Sequence, residues 1–406
     1  MMQHGQLPPS SRWLLVINTL FNGAGALSNT FLNIYLWKFL RSLEQIAIYN
    51  LSIFLCIALG YMTAGWVAKR TDRLYTMRAG VAILALFYIL ILTLGPRVIN
   101  TYWLLGCLLG FGTGFYWLSY NVLVFEVTEP DTRDQFNGTN GFLFSLATGV
   151  APMIAGKVLS YLPGRGYTVL FLVSFALFIA AVVCTWLLKR RTGPPHYNLF
   201  IGYKPPQHGE IWRQTLRVSL LLGFREGTLS FLPFLLVFLV TKNEEMAGRY
   251  LLMTAIGSFA AYFFVKKFLT FERRNTFVTV SAFMLALSVL MLLFQVNQVS
   301  LFVFGITNAL FTPLLIIPYA CLTLDVMGRL PEAVHRKVEY LVVRETAVNT
   351  GRCLSLLVMI GAQTIWSDAL TNRIAFLMVG LSPLLGLFYF RRSSALFLST
   401  FFQVRK

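Results

Sequence analysis

The sequence predicts an all-α membrane protein with twelve transmembrane helices in two pseudo-symmetric six-helix bundles. Three observations lead to this fold class. The 406 residues are 57% hydrophobic and only 12% charged, whereas soluble domains carry about 25% charged residues. The apolar residues form long runs of about 20 residues, the length that a helix needs to cross a bilayer. The runs lack a period of two, so helices and not a β-barrel satisfy the backbone in lipid.

Hydropathy along the chain defines the twelve predicted spans. They are 12–39, 44–66, 77–95, 101–125, 137–161, 167–189, 213–241, 246–265, 275–294, 299–324, 337–362 and 371–391. Residues 190–212 form the longest polar stretch, which begins with two arginines and contains two Pro-Pro pairs. We interpret this stretch as a plain cytoplasmic linker between an N-terminal bundle (1–189) and a C-terminal bundle (213–406).

The net charge of +18 comes from short basic clusters between the apolar runs. Nucleic-acid binding needs basic residues gathered on one face, so we predict no nucleic-acid partner. Lys and Arg accumulate on the cytoplasmic side of membrane proteins, and here most of them lie on the same side as the N-terminus. We therefore predict that both termini lie in the cytoplasm. We further predict a monomer in a bacterial cell membrane.

The two halves of the chain are similar in sequence. Residues 106–126 in the fourth span align with residues 305–325 in the tenth. The matched pairs are Gly106 and Gly305, Thr113 and Thr312, Tyr120 and Tyr319, and Glu126 and Asp325. Two parallel six-helix halves are typical of transporters whose substrate site lies between the halves, near the middle of the membrane.

The loop between the second and third spans, GWVAKRTDRLYTMR at 65–78, carries a family motif. In the major facilitator superfamily this loop reads Gly-x-x-x-Asp-Arg/Lys-x-Gly-Arg-Arg/Lys. Here Arg70 and Arg73 match basic positions, while Lys69 and Asp72 replace the acidic residue and the second glycine. Through this loop and its two halves the chain resembles that superfamily over its whole length. The resemblance implies that helices 1, 4, 7 and 10 surround a cavity, with helices 3, 6, 9 and 12 outside.

Charged residues in two loops are candidates for a cytoplasmic gate. The acidic loop after the fourth span can pair with the basic loop after the second and latch the inside gate; a solvated loop is the alternative. The predicted gating residues are Lys69, Arg70, Asp72, Arg73, Glu126 and Arg133.

Polar residues follow one face of the first span. They are Asn18, Asn22, Gly25, Asn29 and Asn33, and their spacing of three and four residues keeps them on one side of a helix. Amides that face lipid are costly, so this face is expected to line a cavity. The alternative is packing and hydrogen bonding between helices.

Further candidate substrate contacts are Tyr116, Tyr120 and Asn121 on the fourth span and Asn308 and Tyr319 on the tenth, where Tyr319 matches Tyr120 in the repeat. Tyrosine offers an aromatic face and a polar tip to a ligand. Close helix packing and anchoring at the membrane interface are the alternative role. The glycines at 110, 112 and 114 resemble a nucleotide loop, but inside an apolar span we interpret them as packing glycines.

Ionisable residues inside the spans are the strongest candidates for chemistry. Arg225 and Glu226 lie in the seventh span, and Glu345, Asn349 and Arg352 share one face of the eleventh. A charge at the membrane centre costs about 2.5–3.5 kcal/mol and marks a functional site by default. Because basic residues outnumber acidic ones within the spans, we hypothesise an anionic substrate. Arg225 and Arg352 would bind it, and Glu226 or Glu345 would couple a proton. Structural clamps between helices 7 and 11 are the alternative.

The predicted function is secondary active transport of a small solute by alternating access, driven by protons. The alternatives are a proton-driven exporter of drug-like or amphiphilic compounds, a lipid flippase, and a receptor or scaffold without flux. The sequence contains no G-x-x-x-x-G-K-[ST] loop for ATP and no cluster of catalytic groups or metal ligands. We therefore predict that the protein is not an enzyme and uses no cofactor. Its expected partners are the substrate, the proton and the bilayer.

Overall fold

The computed structural model describes residues 7–127, 130–188, 197–205, 208–331 and 333–401. These residues form α-helices and one 3₁₀ helix, Gly95–Asn100, with no strand among them. The α-helices are α1 (Pro9–Leu40), α2 (Leu43–Arg70), α3 (Arg73–Leu94), α4 (Tyr102–Val127), α5 (Pro130–Tyr161), α6 (Gly166–Thr185), α7 (Leu199–Tyr203), α8 (Gly209–Leu229), α9 (Leu232–Thr241), α10 (Glu244–Phe268), α11 (Arg274–Phe294), α12 (Gln298–Met327), α13 (Ala333–Gln363) and α14 (Asp368–Phe401).

Each predicted span corresponds to helix in the structure. Helices α1 to α6 are the first six spans, α8 with α9 is the seventh, and α10 to α14 are the last five. Ten helical segments in the described part of the chain are long and apolar enough to cross a membrane. Helices α1 and α13 are not among these ten. They carry the asparagine face and the ionisable face respectively, and those polar groups lower their hydropathy.

The seventh span is broken near Pro233. Helix α8 ends at Leu229, and α9 begins at Leu232 with the proline in its first turn. Proline is tolerated there because the first turn of a helix has no intrahelical partner for its N–H groups. The break leaves α8 as a separate helix that carries Arg225 and Glu226 near its C-terminal end.

The chain divides into two compact units. Unit 1 comprises Met1–Tyr197 with Asn243–Leu252, and unit 2 comprises Asn198–Lys242 with Met253–Lys406. In unit 1, α4 packs along α2 and α3, and α1 packs along α5 and α6. In unit 2, α8 packs along α13 and α14, and α11 packs along α12 and α14.

Described residues of the segment predicted as a plain linker pack against neighbouring helices, so this part of the segment is more than a connector. In unit 1 the Tyr197 hydroxyl donates to the carbonyl oxygen of Met62 at 3.3 Å. In unit 2, α7 lies so close to α13 that a Cβ on Gly202 would be 2.7 Å from Val343 Cγ2. The buried Trp212 indole donates to the Gly202 carbonyl oxygen at 2.7 Å. Glycine allows this contact, and the polar sequence alone gives no sign of it.

Glycines set the contact between α4 and its neighbours in unit 1. A Cβ on Gly106, Gly110 or Gly114 would lie between 2.2 and 2.7 Å from a carbonyl oxygen of α2. On another face of α4, a Cβ on Gly112 would lie 2.9 Å from the carbonyl oxygen of Gly80 in α3. Small residues let helix backbones approach closely in membranes. The prediction of packing glycines is confirmed.

An equivalent contact joins α8 and α13 in unit 2. A Cβ on Gly223 would lie 1.9 Å from the carbonyl oxygen of Val348, and a Cβ on Gly351 would lie 1.9 Å from that of Leu220. The two backbones therefore touch without intervening side chains. Glu226 follows Gly223 on α8, and this contact brings it beside Arg352 on the polar face of α13.

Candidate functional site

Unit 1 contains a hydrogen-bonded network of amides and tyrosines. Asn18 on α1 donates to the Asn140 side chain on α5 at 2.7 Å. Two tyrosines of α4 join it: Tyr116 donates to Asn18 and Tyr120 to Asn140, each at 3.0 Å. Asn22 donates to the Asn18 side chain at 3.0 Å. The network links α1, α4 and α5, and it includes Asn140, which the sequence reasoning missed although it lies in the polar start NGTN of the fifth predicted span.

The rest of the asparagine face of α1 contacts α2 and α3. Tyr88 donates to the Asn29 side chain at 2.5 Å and also shares a hydrogen bond with Ser28. Asn50 donates to the Asn33 side chain at 2.8 Å. Buried amides need such partners in a low-dielectric interior. The packing alternative therefore describes much of this face.

A cavity of 390 Å³ opens beside the network in unit 1. Its lining includes Asn22, Gly25 and Asn29 of α1, Thr113 and Trp117 of α4, and Phe178 of α6. The predicted contacts Asn22 and Asn29 thus face a cavity, while Tyr116, Tyr120 and Asn121 are not among its lining residues. Tyr116 is fully buried and stacks on Phe21. It packs behind Phe21, which lines the cavity.

In unit 2 the predicted contacts Arg225 and Asn308 meet. The Arg225 guanidinium, 5% exposed, donates to the Asn308 side chain and, at 3.0 Å, to the Thr312 hydroxyl. Asn308 donates in turn to the Phe304 carbonyl oxygen at 2.9 Å. Among the described residues no salt bridge joins Arg225 to a carboxylate. The arginine is held by neutral groups, so its charge is solvated but not cancelled by a direct partner.

Glu226 and Arg352 form an ion pair between α8 and α13. Arg352 donates to one Glu226 oxygen through Nη2 at 2.6 Å and through Nε at 3.2 Å. Its Nη1 donates to the side chain of the buried Asn349 at 3.0 Å. Glu345 instead pairs with its neighbour Arg344 at 2.7 Å on the same helix. Glu226 and Arg352 therefore match the alternative of a structural clamp between helices. Among the described residues, no salt bridge joins Glu345 to α8.

Tyr319 lies apart from this cluster. It belongs to the apolar core of unit 2, with its ring 4.8 Å from that of Phe390 on α14. Within the described residues its buried hydroxyl has no hydrogen-bond partner. Tyr319 was predicted to contact the substrate. In the structure, the face of α12 that carries Tyr319 is turned towards α14. Its sequence counterpart Tyr120 is hydrogen-bonded to an amide, so matched residues have different surroundings in the two halves.

Comparison with known proteins decides the family. The family model described as the Major Facilitator Superfamily matches residues 14–330. The chain belongs to the major facilitator superfamily. It is 39% identical over 346 residues to a Bacillus subtilis (strain 168) protein named "Uncharacterized protein YqgE", across 85% of this chain and 80% of that protein.

Solved structures of transporters share the fold of this superfamily member. A bacterial homologue of the iron transporter ferroportin, in an outward-facing state, has a TM-score of 0.70 at 14% identity, covering 96% of this chain and all of that one. A D-xylose–proton symporter has a TM-score of 0.70 at 12% identity, covering 94% and 96% of the two chains. At such identities the likeness shows the fold alone. The predicted all-helical facilitator fold is confirmed, and the protein is an integral membrane transporter of a small molecule.

The superfamily loop contributes an ion pair that occurs once in each half. Arg73, the first residue of α3, lies 3.0 Å from Glu126 near the end of α4. Arg274, the first residue of α11, lies 2.6 Å from Asp325 near the end of α12. Glu126 and Asp325 are matched in the internal repeat. Each pair therefore connects equivalent helices within one unit, and the solvated-loop alternative is wrong for Glu126.

The other predicted gating residues have separate structural roles. Asp72 caps α3 by accepting a hydrogen bond from the Leu74 amide at 3.0 Å, which satisfies a free N–H of the first turn. The Arg70 guanidinium lies over the Trp66 ring, 4.2 Å from its centroid. Lys69 is buried at the end of α2. The side chain of Arg133 lies outside the described residues.

The two repeated ion pairs predict unequal mutational effects. Glu126→Gln is expected to lower the free energy of unfolding by about 2 kcal/mol, because it removes a charge-assisted partner of a nearly buried arginine. Asp325→Asn is expected to cost under about 1 kcal/mol, because its pair is more exposed to solvent. Unfolding of the purified variants in one detergent measures both values. Equal losses would contradict the difference in burial.

Proposed function

We propose that this transporter carries a small anionic solute together with a proton by alternating access. We further propose that it works as a monomer in a bacterial cell membrane, with both termini in the cytoplasm. The single observation that carries the anionic substrate is Arg225. It is buried in a membrane-spanning helix and held by Asn308 and Thr312, with no salt bridge to a carboxylate among the described residues.

The physical argument concerns the cost of the Arg225 charge. A charge inside a span costs several kcal/mol unless something compensates it. An amide and a hydroxyl solvate a guanidinium, but they leave its net charge in place. An incoming carboxylate would accept a charge-assisted, bidentate hydrogen bond, for which arginine is well shaped. The positive charge of Arg225 in a buried site thus supports binding of an anion in preference to a cation.

The ion pair beside Arg225 offers a route for proton coupling. Arg352 is engaged by Glu226 at 2.6 Å. Protonation of Glu226 would remove the negative charge that holds Arg352, and this arginine could then join Arg225 in binding an anion. Proton and anion would then favour each other's binding, which is the linkage that a coupled transporter needs. Glu345, paired with Arg344, is the less connected candidate for this role.

The cavity in unit 1 favours a second candidate function, the export of amphiphilic or drug-like compounds. Its lining combines aromatic side chains such as Trp117 and Phe178 with two asparagines, and none of the described lining residues is charged. Apolar walls with a few polar groups are typical of sites for drug-sized ligands. This candidate needs no contact between the substrate and Arg225.

A thermal-shift screen of the purified protein distinguishes these functions. It compares carboxylates, cationic and neutral drugs, and lipids at an acidic and an alkaline pH. We expect carboxylates to stabilise the protein, more strongly at acidic pH, because bound ligand raises the unfolding temperature. Arg225→Gln should weaken carboxylate binding at least about tenfold. Glu226→Gln should retain binding and lose its pH dependence.

Arg373 is exposed on α14, and Arg373→Gln is the matched control. This variant should bind carboxylates as the wild-type protein does. Stabilisation by drugs alone, unchanged by Arg225→Gln, would support the exporter and reject the anionic substrate.

A further inference from the structure

Three arginines meet on the surface between α8 and α14, at the end where α8 begins and α14 continues past the predicted span. They are Arg213 and Arg217 of α8 and Arg392 of α14, and all three are exposed. Arg213 Nη2 lies 2.6 Å from one oxygen of Glu210, and Arg392 Nη2 lies 3.9 Å from the other. The Arg217 guanidinium lies over the Tyr389 ring, 5.6 Å from its centroid.

A buried hydrogen bond fixes this arrangement between the two helices. The hydroxyls of Thr215 on α8 and Ser393 on α14 are 3.1 Å apart. Helix α8 therefore runs along α14 at this level, so the three arginines form one patch. Arg213 and Arg392 share the Glu210 carboxylate, while Arg217 donates to the Gln214 side chain at 3.3 Å. One negative charge against three positive ones leaves the patch positively charged. Arginine is well suited to bind phosphate through its planar fork of N–H groups.

The face of α14 that carries Arg392 shows where the patch lies relative to the membrane. Leu377, Leu381, Leu385 and Phe388 are 41 to 62% exposed, as expected for side chains in contact with lipid. Their spacing of four, four and three residues places them on one side of the helix, and four residues further on comes Arg392. The apolar stripe thus ends at an arginine, just as the acyl-chain region of a membrane ends at the headgroup layer.

An apolar groove lies further along this stripe. It has a volume of 350 Å³ and is lined by Leu377, Gly380 and Leu381 of α14 and by Phe283 and Leu287 of α11, among others. Gly380 brings α14 close to α11, since a Cβ there would lie 2.6 Å from Val289 Cγ2. At 1.5 Å per residue the groove begins about 16 Å from Arg392 along the helix. A lipid acyl chain spans that distance.

We propose that this face is a binding site for an anionic phospholipid. Arg213, Arg217 and Arg392 would bind its phosphate, and an acyl chain would follow the α14 stripe into the groove at Gly380. Basic residues at the membrane surface attract anionic lipids with about 1 kcal/mol each. The site is independent of Arg225 and of the solute that is transported.

The test measures lipid binding to the full-length protein in detergent, by native mass spectrometry and thermal shift. Phosphatidylglycerol is the probe, and phosphatidylcholine and glycerol phosphate are the comparison ligands. We expect phosphatidylglycerol to bind most tightly. Arg213→Gln, Arg217→Gln and Arg392→Gln combined should weaken its binding on the order of a hundredfold. Glu210→Gln should tighten it several-fold, because it removes the opposing charge.

Arg391→Gln is the matched control. It lies at the same depth but donates to Thr279 on α11 at 3.0 Å, so phosphatidylglycerol binding should not change. Equal binding of phosphatidylcholine, equal stabilisation by glycerol phosphate, or full binding by the triple variant would overturn the proposal. If the triple variant does not fold, Glu210→Gln decides: tighter binding supports the site, and unchanged or weaker binding overturns it.

Discussion

Replacing Gly351 by leucine is expected to prevent stable folding of this transporter. A Cβ at this position would lie 1.9 Å from the Leu220 carbonyl oxygen and 2.7 Å from the Phe224 backbone nitrogen. Backbone atoms of a packed helix cannot move aside as a flexible side chain can, so α8 and α13 must separate. We expect a loss on the order of 4 kcal/mol or more, above the usual cost of overpacking. The measurement is the unfolding temperature and the monodisperse yield in detergent.

Gly361 provides the matched control on the same helix. It is exposed, and a Cβ there would meet no atom within 4 Å. Gly361→Leu should therefore fold with an unchanged or slightly raised unfolding temperature, since leucine favours the helix more than glycine does. A Gly351→Leu protein as stable as Gly361→Leu would show that α8 and α13 do not touch through their backbones.

Arg352→Gln is expected to destabilise the protein by about 3 kcal/mol, because it leaves the Glu226 carboxylate without its arginine in a membrane-spanning region. Glu226→Gln should cost a similar amount for the converse reason. The double variant Glu226→Gln/Arg352→Gln should be more stable than the sum of the single losses implies, by about 2 kcal/mol. Unfolding of all four proteins in one detergent completes the cycle.

The same variants separate a clamp from a coupling site. If Glu226 and Arg352 only hold α8 to α13, the neutral double variant should keep the pH dependence of ligand binding. On the proposed function it should regain stability but lose that pH dependence. A coupling energy near zero would contradict the ion pair itself.

Much of the fold follows from the sequence because lipid imposes strong constraints. A run of apolar residues must be a helix to satisfy its backbone, so the predicted spans correspond to helices in order. Helix ends are less constrained, and α14 continues to Phe401, ten residues past its predicted end. The short helix α7 was missed because its packing depends on one glycine, Gly202, fitting against α13.

The candidate site is less accessible from sequence, because periodicity assigns residues to a face without identifying what that face meets. Glu226 and Arg352 were recognised as unusual, yet only their 2.6 Å contact across two helices favours the clamp. Tyr319 shares a repeat position with Tyr120, but it faces an apolar neighbour. Asn140 belongs to no periodic pattern, and its hydrogen bonds with Asn18 and Tyr120 identify it.

The charges of Arg225, Glu226 and Arg352 in unit 2 have a consequence for the energetics of the transport cycle. A charge that moves through the membrane field exchanges about 2.3 kcal/mol with each 100 mV of potential. On the proposed function, the empty site carries one net positive charge, that of Arg225, because Glu226 and Arg352 cancel each other. The loaded site carries the same net charge, because the bound proton neutralises Glu226 and the monovalent anion cancels one of the two arginines. Membrane voltage would then act equally on the loaded step and on the return of the empty carrier, and its two effects would cancel over a cycle. The direction in which solute accumulates would depend on the proton concentrations on the two sides and not on the membrane potential.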